Sequence, residues 1–353
     1  MDTLTHAVSG ALLARATAPR APRPGGITTG RRVAAGFAAA AFPDVDWALS
    51  LVSTEAYLLY HRGATHSILL LPLWAALLAW IFARLDPARP GWRAYFGVAA
   101  GSLAIHIAGD LITSFGTILL APVSDRRFAL DTTFIIDLWF TGIIVAGLAA
   151  SLVWRRSRVP AAAGLAALAG YVGLQALAHG AAVDFGREYA RAQGLAGASV
   201  SAVPRPISPF NWMVVVAHGD EYRYAFVNVV RRTAPPPPGP AAGLVARLDA
   251  AYAPRAQAVW QRAERFGPAA SRAEVLAAWQ AEPLAFFRWF AAYPVLARIE
   301  AGNPVRCIWF RDLRFLTPGR AGWPFQFGVC RSPADAGWTG FQLIGDAIRL
   351  PLR

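Results

Sequence analysis

The sequence predicts an α-helical polytopic membrane domain at residues 1–183, followed by a smaller soluble α+β domain at residues 184–353. Three observations predict this fold class. Of the 353 residues, 56% are apolar and 16% are charged, whereas soluble domains are about 25% charged. The apolar residues concentrate in the first half of the chain. From Asp184 onward the composition is that of a soluble domain, with short runs of strand-forming residues between turns.

The net charge of +13 comes from arginine alone, because the chain contains no lysine. The arginines lie mainly in short loops between apolar segments, where membrane topology accounts for them. A nucleic-acid binder has only the net charge in its favour, so we expect no nucleic-acid partner. The 13 Trp and 20 Phe exclude disorder over most of the chain, and two cysteines exclude a Cys-ligated zinc finger.

Two shorter apolar pieces open the chain, at residues 3–14 and 33–54. The second is interrupted by Pro43-Asp44-Val45-Asp46. Neither is an unbroken stretch of the roughly 20 apolar residues that a membrane-spanning helix needs. We interpret both as half-spanning or broken helices, which membranes accommodate where the irregular backbone faces protein or a water-filled cavity.

Four longer apolar segments predict four membrane-spanning helices. They are residues 67–83, 94–122, 134–154 and 159–183. Four spans place all three arginine-rich loops on one side of the membrane, which the positive-inside rule makes cytoplasmic. These loops are residues 15–32 with Arg15, Arg20, Arg23, Arg31 and Arg32, residues 84–93, and residues 155–158. The C-terminal domain is then expected on the opposite, outer side of the membrane.

The C-terminal domain opens with a predicted β-hairpin, formed by residues 211–217 and 222–230 around His218-Gly219-Asp220-Glu221. The run Pro235–Pro238 predicts a stiff linker. Helical patterns then fill about residues 241–300. Short strands are predicted at about residues 305–316, 324–330 and 339–349. Cys307 and Cys330 fall in two of these strands, and the sequence leaves open whether they form a disulfide or are buried thiols.

His106 and Asp110 are the strongest candidates for a functional site. They are four residues apart in a predicted membrane helix, so both side chains project from one face. An ionisable pair in a membrane is costly without partners and is a functional candidate by default. The structural alternative is a hydrogen-bonded pair that locks two helices together.

Three other apolar elements also supply imidazole or carboxylate groups. The residues are His6, Asp44, Asp46, His61 and His66. A packing role for His6 and a helix N-cap for Asp44 are the structural alternatives. Together, imidazole and carboxylate ligands without cysteine suit zinc, and also manganese or non-haem iron. The sequence therefore predicts a divalent metal site, with Zn²⁺ favoured.

The segments MDTLTH (residues 1–6), PDVD (43–46), HRGATHS (61–67) and HIAGDLITSFGTILLAP (106–122) resemble, in order, the motifs of a known family. This is the YdjM-like family of LexA-regulated, membrane-bound, metal-dependent hydrolases of bacteria. The resemblance covers about residues 1–180 and implies a hydrolase of the inner membrane, distantly similar to zinc-dependent phospholipase C. It matches the His-x-x-x-Asp pair of those phospholipases to His106 and Asp110, but no second such pair follows.

These inferences together predict a membrane hydrolase with one or two metal ions. The candidate ligands are His6, Asp44 or Asp46, His61, His66, His106 and Asp110. One of Asp44, Asp46 or Asp137 is expected to orient a ligating imidazole or to act as general base. Arg62 is a candidate partner of a substrate phosphate, its alternative being a side chain that reaches to the membrane interface.

The membrane location suggests a phospholipid or another phosphoester as the substrate. A second hypothesis is an ion or proton transporter, or a structural metal-binding membrane protein, in which the same His and Asp residues carry protons or hold helices together. Metal content of the purified protein discriminates the hydrolase from the transporter.

Overall fold

The computed structural model describes residues 1–20, 26–239, 241–302, 305–320, 322–332, 337–345 and 347–352. Arg23, part of the first predicted arginine-rich loop, lies outside the described residues. The chain divides into two compact units, Met1–Leu177 and Ala178–Arg353. The first unit is helical and the second is rich in β-sheet, which confirms the predicted order of a helical region followed by a sheet-containing domain.

The helical unit is built from the following elements. They are α1 (Thr3–Ala16), α2 (Thr29–Ala41), a 3₁₀ segment (Phe42–Leu51), α3 (Thr54–Tyr60), a 3₁₀ turn (Ala64–His66), α4 (Leu71–Leu85), α5 (Arg93–Leu111), α6 (Leu138–Val153) and α7 (Val159–Ala192). Helix α7 continues past Leu177, so its residues 178–192 belong to the second unit. The break predicted at Pro43 is the point where α2 gives way to the 3₁₀ segment. Proline has no N–H to donate and its ring disfavours a continuing α-helix.

Among the described residues, two helices are long and apolar enough to cross a membrane, α5 and α7. A third span results if Thr54–His66 and Leu71–Leu85, which are bent by 77° at a short break, count as one. Helix α6 is apolar but shorter. Each of the four predicted spans contains a helix, but fewer than four of these described helices are long enough to cross a membrane on their own.

The predicted span at residues 94–122 is wrong in its second half, because α5 ends at Leu111. The chain beyond it forms a loop in which Thr117 pairs with Phe128 in an isolated β-bridge. Gly116 adopts a φ of 90° there, a conformation that interrupts a helix. An apolar run does not by itself distinguish a buried loop from a helix.

Helices α1 and α2 pack at very short range where Gly10 faces Gly36. A Cβ atom at Gly10 would lie 2.3 Å from the carbonyl oxygen of Gly36 and 2.4 Å from Cβ of Ala40. Small residues allow such close helix contacts in membrane proteins. This contact places α1, which carries His6, against the end of α2 that leads into Asp44 and Asp46.

The described residues of the second unit form two five-stranded sheets. The first comprises β1 (Ser199–Pro204), β2 (Asn211–His218), β3 (Glu221–Asn228), β4 (Ala253–Pro254) and β5 (Gln261–Glu264), with both β4 and β5 paired to β3. The second has the order β10-β9-β8-β7-β6, from β6 (Pro294–Ala301), β7 (Arg306–Asp312), β8 (Gln326–Arg331), β9 (Thr339–Ile344) and β10 (Ile348–Pro351). The predicted hairpin is confirmed as β2 and β3, which pair antiparallel around Gly219.

The helices predicted throughout residues 241–300 are wrong in part. Short helices are present as α8 (Leu244–Asp249), α9 (Arg272–Gln280) and α10 (Ala285–Phe290), but β4, β5 and β6 lie in the same region. Strands β4 and β5 pair with β3, which is distant in sequence, and there tertiary context overrides weak local propensity. Strand β6 pairs with the next strand along the chain, β7. Cys307 and Cys330 are direct cross-strand neighbours on β7 and β8 and form a disulfide.

Candidate metal centre

Four buried side chains converge in the helical unit. Asp44, His66, His106 and Asp110 each offer a ligand atom, and these atoms all lie within 4.8 Å of one another. The Asp44 side chain is 7% exposed and the other three are fully buried. They come from the 3₁₀ segment, the 3₁₀ turn and α5, which are far apart in sequence.

The distances within this group suit a small divalent cation. His66 Nε2 lies 2.9 Å from His106 Nε2 and 3.0 Å from Asp110 Oδ2. Asp44 Oδ1 lies 3.8 Å and 3.7 Å from the same two ring nitrogens. Tetrahedral ligands at the usual zinc distances of about 2.0–2.1 Å are roughly 3.3 Å apart. The observed separations bracket this value.

The tautomers of the two imidazoles follow from their outer hydrogen bonds. His106 Nδ1 donates to the carbonyl oxygen of Ala40 at 2.6 Å. His66 Nδ1 donates to the Thr65 hydroxyl at 2.9 Å, because that hydroxyl gives its own proton to Asp46. With Nδ1 protonated, a neutral ring presents a lone pair at Nε2. Two such lone pairs facing each other at 2.9 Å beside carboxylate oxygens repel one another, and a divalent cation between them would relieve this repulsion.

An unsatisfied carboxylate oxygen points to the same conclusion. Asp44 Oδ2 is buried and has no hydrogen-bond partner. Buried polar atoms are rarely left without a partner, and an exception needs an explanation such as a bound ion. The donor set of two imidazoles and two carboxylates is also one that divalent metals prefer. The residues present therefore fit a divalent metal.

Asp46 has a different environment from Asp44. Its Oδ1 accepts a hydrogen bond from His61 Nδ1 at 2.6 Å, and its Oδ2 accepts from the backbone N–H of Arg62 at 3.0 Å and the hydroxyl of Thr65 at 2.7 Å. The sequence left Asp44 and Asp46 as alternative ligands. The geometry puts Asp44 in the four-residue group, while Asp46 orients the imidazoles, as carboxylates beside metal ligands commonly do.

A second group of potential ligands shares Asp44. It consists of Asp44, Asp46 and His61, whose ligand atoms also lie within 4.8 Å of one another. His61 and Asp46 are directly hydrogen-bonded in it, and the His61 ring stacks on Tyr57 at a centroid distance of 4.5 Å.

The remaining oxygen of Asp110 is held by positively polarised groups. Its Oδ1 accepts from His6 Nε2 at 3.0 Å, from Arg62 Nη2 at 2.8 Å, and from the amino group of Met1. His6 also stacks on His106, with ring centroids 3.7 Å apart. His6 is thus adjacent to the four-residue group and supports two of its members.

Arg62 is 1% exposed and is bound within the protein. Besides Asp110, its guanidinium donates to the hydroxyl of Thr113 at 2.8 Å. It adopts a positive φ of 61°, which costs energy for a residue other than glycine. The sequence suggested Arg62 as a phosphate partner, whereas the structure places it as the buried counter-ion of Asp110.

Asp137 is in neither of the two ligand groups found among the described residues. Its side chain caps α6 by accepting from the backbone N–H groups of Trp139 and Phe140. It also accepts from the Tyr171 hydroxyl and from Gln175 Nε2, both at 2.8 Å. These bonds give Asp137 a role in joining α6 to α7.

Sequence analysis missed the contributions of Ala40 and Thr65. The Ala40 contact is made by a backbone carbonyl, so no side-chain pattern could indicate it. In a continuing helix this carbonyl would accept from the N–H of residue 44. The change to a 3₁₀ segment after Ala41 leaves it available to His106, and the only sequence signal for this is Pro43.

Helices able to cross a membrane, together with a buried group able to hold a metal, define the protein as a membrane protein with a candidate metal centre. The chain belongs to the YdjM inner membrane protein family, whose model matches residues 1–182. This confirms the family resemblance; the similarity to phospholipase C stays a prediction.

The uncharacterized protein YfhP of Bacillus subtilis (strain 168) is similar to this chain, with 27% identity over 166 residues. The matched region is 44% of this chain and 46% of the relative. The chain thus spans about half the length of this curated relative. No solved structure matches the chain.

Proposed function

We propose that the protein is a multi-pass inner-membrane hydrolase that acts on a phosphoester through a divalent metal, with Zn²⁺ favoured. Asp44, His66, His106 and Asp110 would hold the metal. The observation that carries the proposal is the facing pair of imidazole Nε2 atoms beside two carboxylates, each of which has a buried oxygen without a hydrogen-bond partner.

A bound divalent metal would lower the pKa of its bound water to about 7 and would polarise the scissile group. The residues around the centre supply orientation and proton transfer. Asp46 fixes the rings of His61 and His66, while Arg62 and His6 hold Asp110 by its other oxygen. His61 donates to Asp46 from Nδ1, so its Nε2 is the atom suited to accept a proton as general base.

A lipid phosphoester is the substrate class that the location favours. The centre lies at the end of α5, where His106 and Asp110 belong to one of the two helices able to cross a membrane. A substrate approaching it from the bilayer would be amphiphilic. The phospholipid bilayer is accordingly the proposed environment and the proposed source of substrate.

Exchanging Asp44 and Asp46 separately should distinguish a metal ligand from a positioning residue. We expect Asp44→Asn to abolish release of nitrophenol from a p-nitrophenyl phosphodiester and to lower Zn²⁺ affinity, because an amide is a poor metal ligand. Asp46→Asn should lower Zn²⁺ affinity by roughly 10- to 100-fold, the usual effect of losing a carboxylate that orients a ligand. Near-normal thermal stability with excess Zn²⁺ is expected for both.

The exposed Asp125 provides the matched control, since Asp125→Asn makes the same chemical change away from the centre and should alter neither quantity. Unchanged metal binding and unchanged turnover in both Asp44→Asn and Asp46→Asn would contradict the hydrolase proposal. If the two variants lose metal binding but the parent protein turns over no phosphoester, the transport or structural hypothesis is favoured.

The proposed topology places the arginine-rich loops in the cytoplasm and the C-terminal unit in the periplasm. The disulfide between Cys307 and Cys330 supports this location, because disulfides persist in oxidising compartments. The topology needs α6 to cross as well. Its 16 residues reach about 24 Å at 1.5 Å per residue, and a bilayer thins to accommodate a short span.

A reporter fused after residue 353 tests this topology. We expect alkaline phosphatase, which is active only in the periplasm, to be active in this fusion. A fluorescent protein that matures only in the cytoplasm should stay dark at the same position. The reverse pair of results would contradict the proposed topology.

A further inference from the structure

We propose that the helical unit has a second binding site, which takes the phosphate of an anionic phospholipid headgroup. The site is a cavity of about 620 Å³ between α1, α2, α5 and the residue that precedes α7. Arg32, Arg93 and Arg158 line it. None of the described residues lining it is acidic, so an anion is the ligand that its charge favours.

The three arginines come from three different parts of the chain. Arg32 is in the first turn of α2, Arg93 begins α5 and Arg158 immediately precedes α7. Arg158 donates to the carbonyl oxygen of Ala18 at 3.4 Å, and Arg32 donates to that of Thr17 at the same distance. These are long bonds, and a guanidinium has five N–H donors, so Arg158 can also donate to a ligand.

The repulsion among these like charges also favours a bound anion. Three guanidinium groups around one cavity raise each other's electrostatic energy. A phosphate would relieve this repulsion and would accept charge-assisted hydrogen bonds from more than one of them.

Ser102 gives the cavity an unsatisfied polar group. It lines the cavity from α5, it is 1% exposed, and its Oγ has no hydrogen-bond partner. Leaving a buried hydroxyl unpaired is unfavourable. An oxygen atom of a phosphate or glycerol group reaching into the cavity would satisfy it.

The cavity reaches Arg93, at the end of α5 opposite to the metal centre. Arg93 precedes His106 by 13 residues, which is about 20 Å along a helix. Trp92, beside Arg93, is 43% exposed, and exposed tryptophan at a helix end is typical of the membrane interface. Basic pockets between membrane helices bind anionic headgroups, so we assign the phosphate to a phospholipid and not to a soluble ion.

Binding of phosphatidylglycerol to the purified full-length chain in detergent tests the proposal, with bound lipid counted by native mass spectrometry. The parent should retain one phosphatidylglycerol in preference to phosphatidylcholine. The triple variant Arg32→Gln, Arg93→Gln, Arg158→Gln should bind it about a hundredfold more weakly, because the loss of each arginine lowers the affinity about fivefold. Filling the cavity with Gly97→Leu should also reduce binding, because a Cβ at Gly97 meets nothing within 4 Å.

Two matched controls separate the cavity from general surface charge. The triple variant Arg84→Gln, Arg89→Gln, Arg156→Gln removes the same charge outside the cavity lining, from two of the three arginine-rich loops, and should change affinity less than about threefold. Gly142→Leu introduces the same side chain at another open position. Equal weakening in both arginine variants would overturn the proposal, as would no preference for the anionic lipid.

Inorganic phosphate serves as the competing probe. Failure of millimolar phosphate to displace the lipid supports the headgroup assignment, and displacement at equal concentration would overturn it in favour of a soluble anion. The bound Zn²⁺ should be the same in the parent and in all of these variants. This site and the proposed metal centre can therefore fail independently.

Discussion

Replacing His106 or Asp110 with alanine should remove most of the bound metal while the protein still inserts into the membrane. Each variant deletes one of the four converging ligand atoms. Loss of a supporting group around a metal typically costs about 10- to 100-fold in affinity, so loss of a ligand should cost more than about 100-fold. Elemental analysis of the purified variants and competition with a fluorescent chelator would measure this.

The two variants differ in what else they disturb. Asp110→Ala leaves Arg62 as a buried charge without its carboxylate, which costs about 3–5 kcal/mol when one partner of a buried pair is removed. Asp110→Asn retains the volume and separates metal loss from instability. His218→Ala, at an exposed imidazole in the C-terminal unit, is the control. Full metal retention in His106→Ala, Asp110→Ala and Asp110→Asn would exclude the assigned centre.

Gly10→Ala should destabilise the helical unit far more than the size of a methyl group suggests. The added Cβ would lie 2.3 Å from a backbone oxygen of Gly36, so α1 and α2 must separate. Overpacking of this kind costs about 1–3 kcal/mol and at times more. The shift would also move His6 away from Asp110, so we expect a lower melting temperature in detergent and weaker Zn²⁺ binding.

Gly142→Ala is the control, because a Cβ at Gly142 meets nothing within 4 Å. Alanine is the better helix former by about 1 kcal/mol, so this variant should melt at or slightly above the parent temperature. If Gly10→Ala and Gly142→Ala melted at the same temperature, the close packing of α1 and α2 would not contribute to stability.

The sequence allowed the ligand group to be predicted because charged residues are rare in the first half of the chain. His106 and Asp110 stand out within an apolar helix, and Asp44 stands out beside a proline. Their relative roles depend on tertiary structure. Only the geometry separates Asp44 from Asp46, assigns Arg62 to Asp110, and places Asp137 at a helix cap.

The fold was predictable in order but less so in detail. Each apolar segment contains a helix, but apolarity does not fix where the helix ends, as the loop after Leu111 demonstrates. In the second unit, the β2–β3 hairpin was predictable because its turn is local. Strand β5 was not, because Gln261–Glu264 has little strand propensity and is ordered by pairing with β3.

The end of α2 restricts how the length of this chain can vary. The carbonyl of Ala40 and the carboxylate of Asp44 meet the same imidazole, His106, from two positions on one short segment. Inserting or deleting one residue between them would rotate Asp44 by roughly 100–120° about the helix axis. Changes of residue type at positions 41 and 42 leave this relation intact. A one-residue change in length at the same place separates the two contacts.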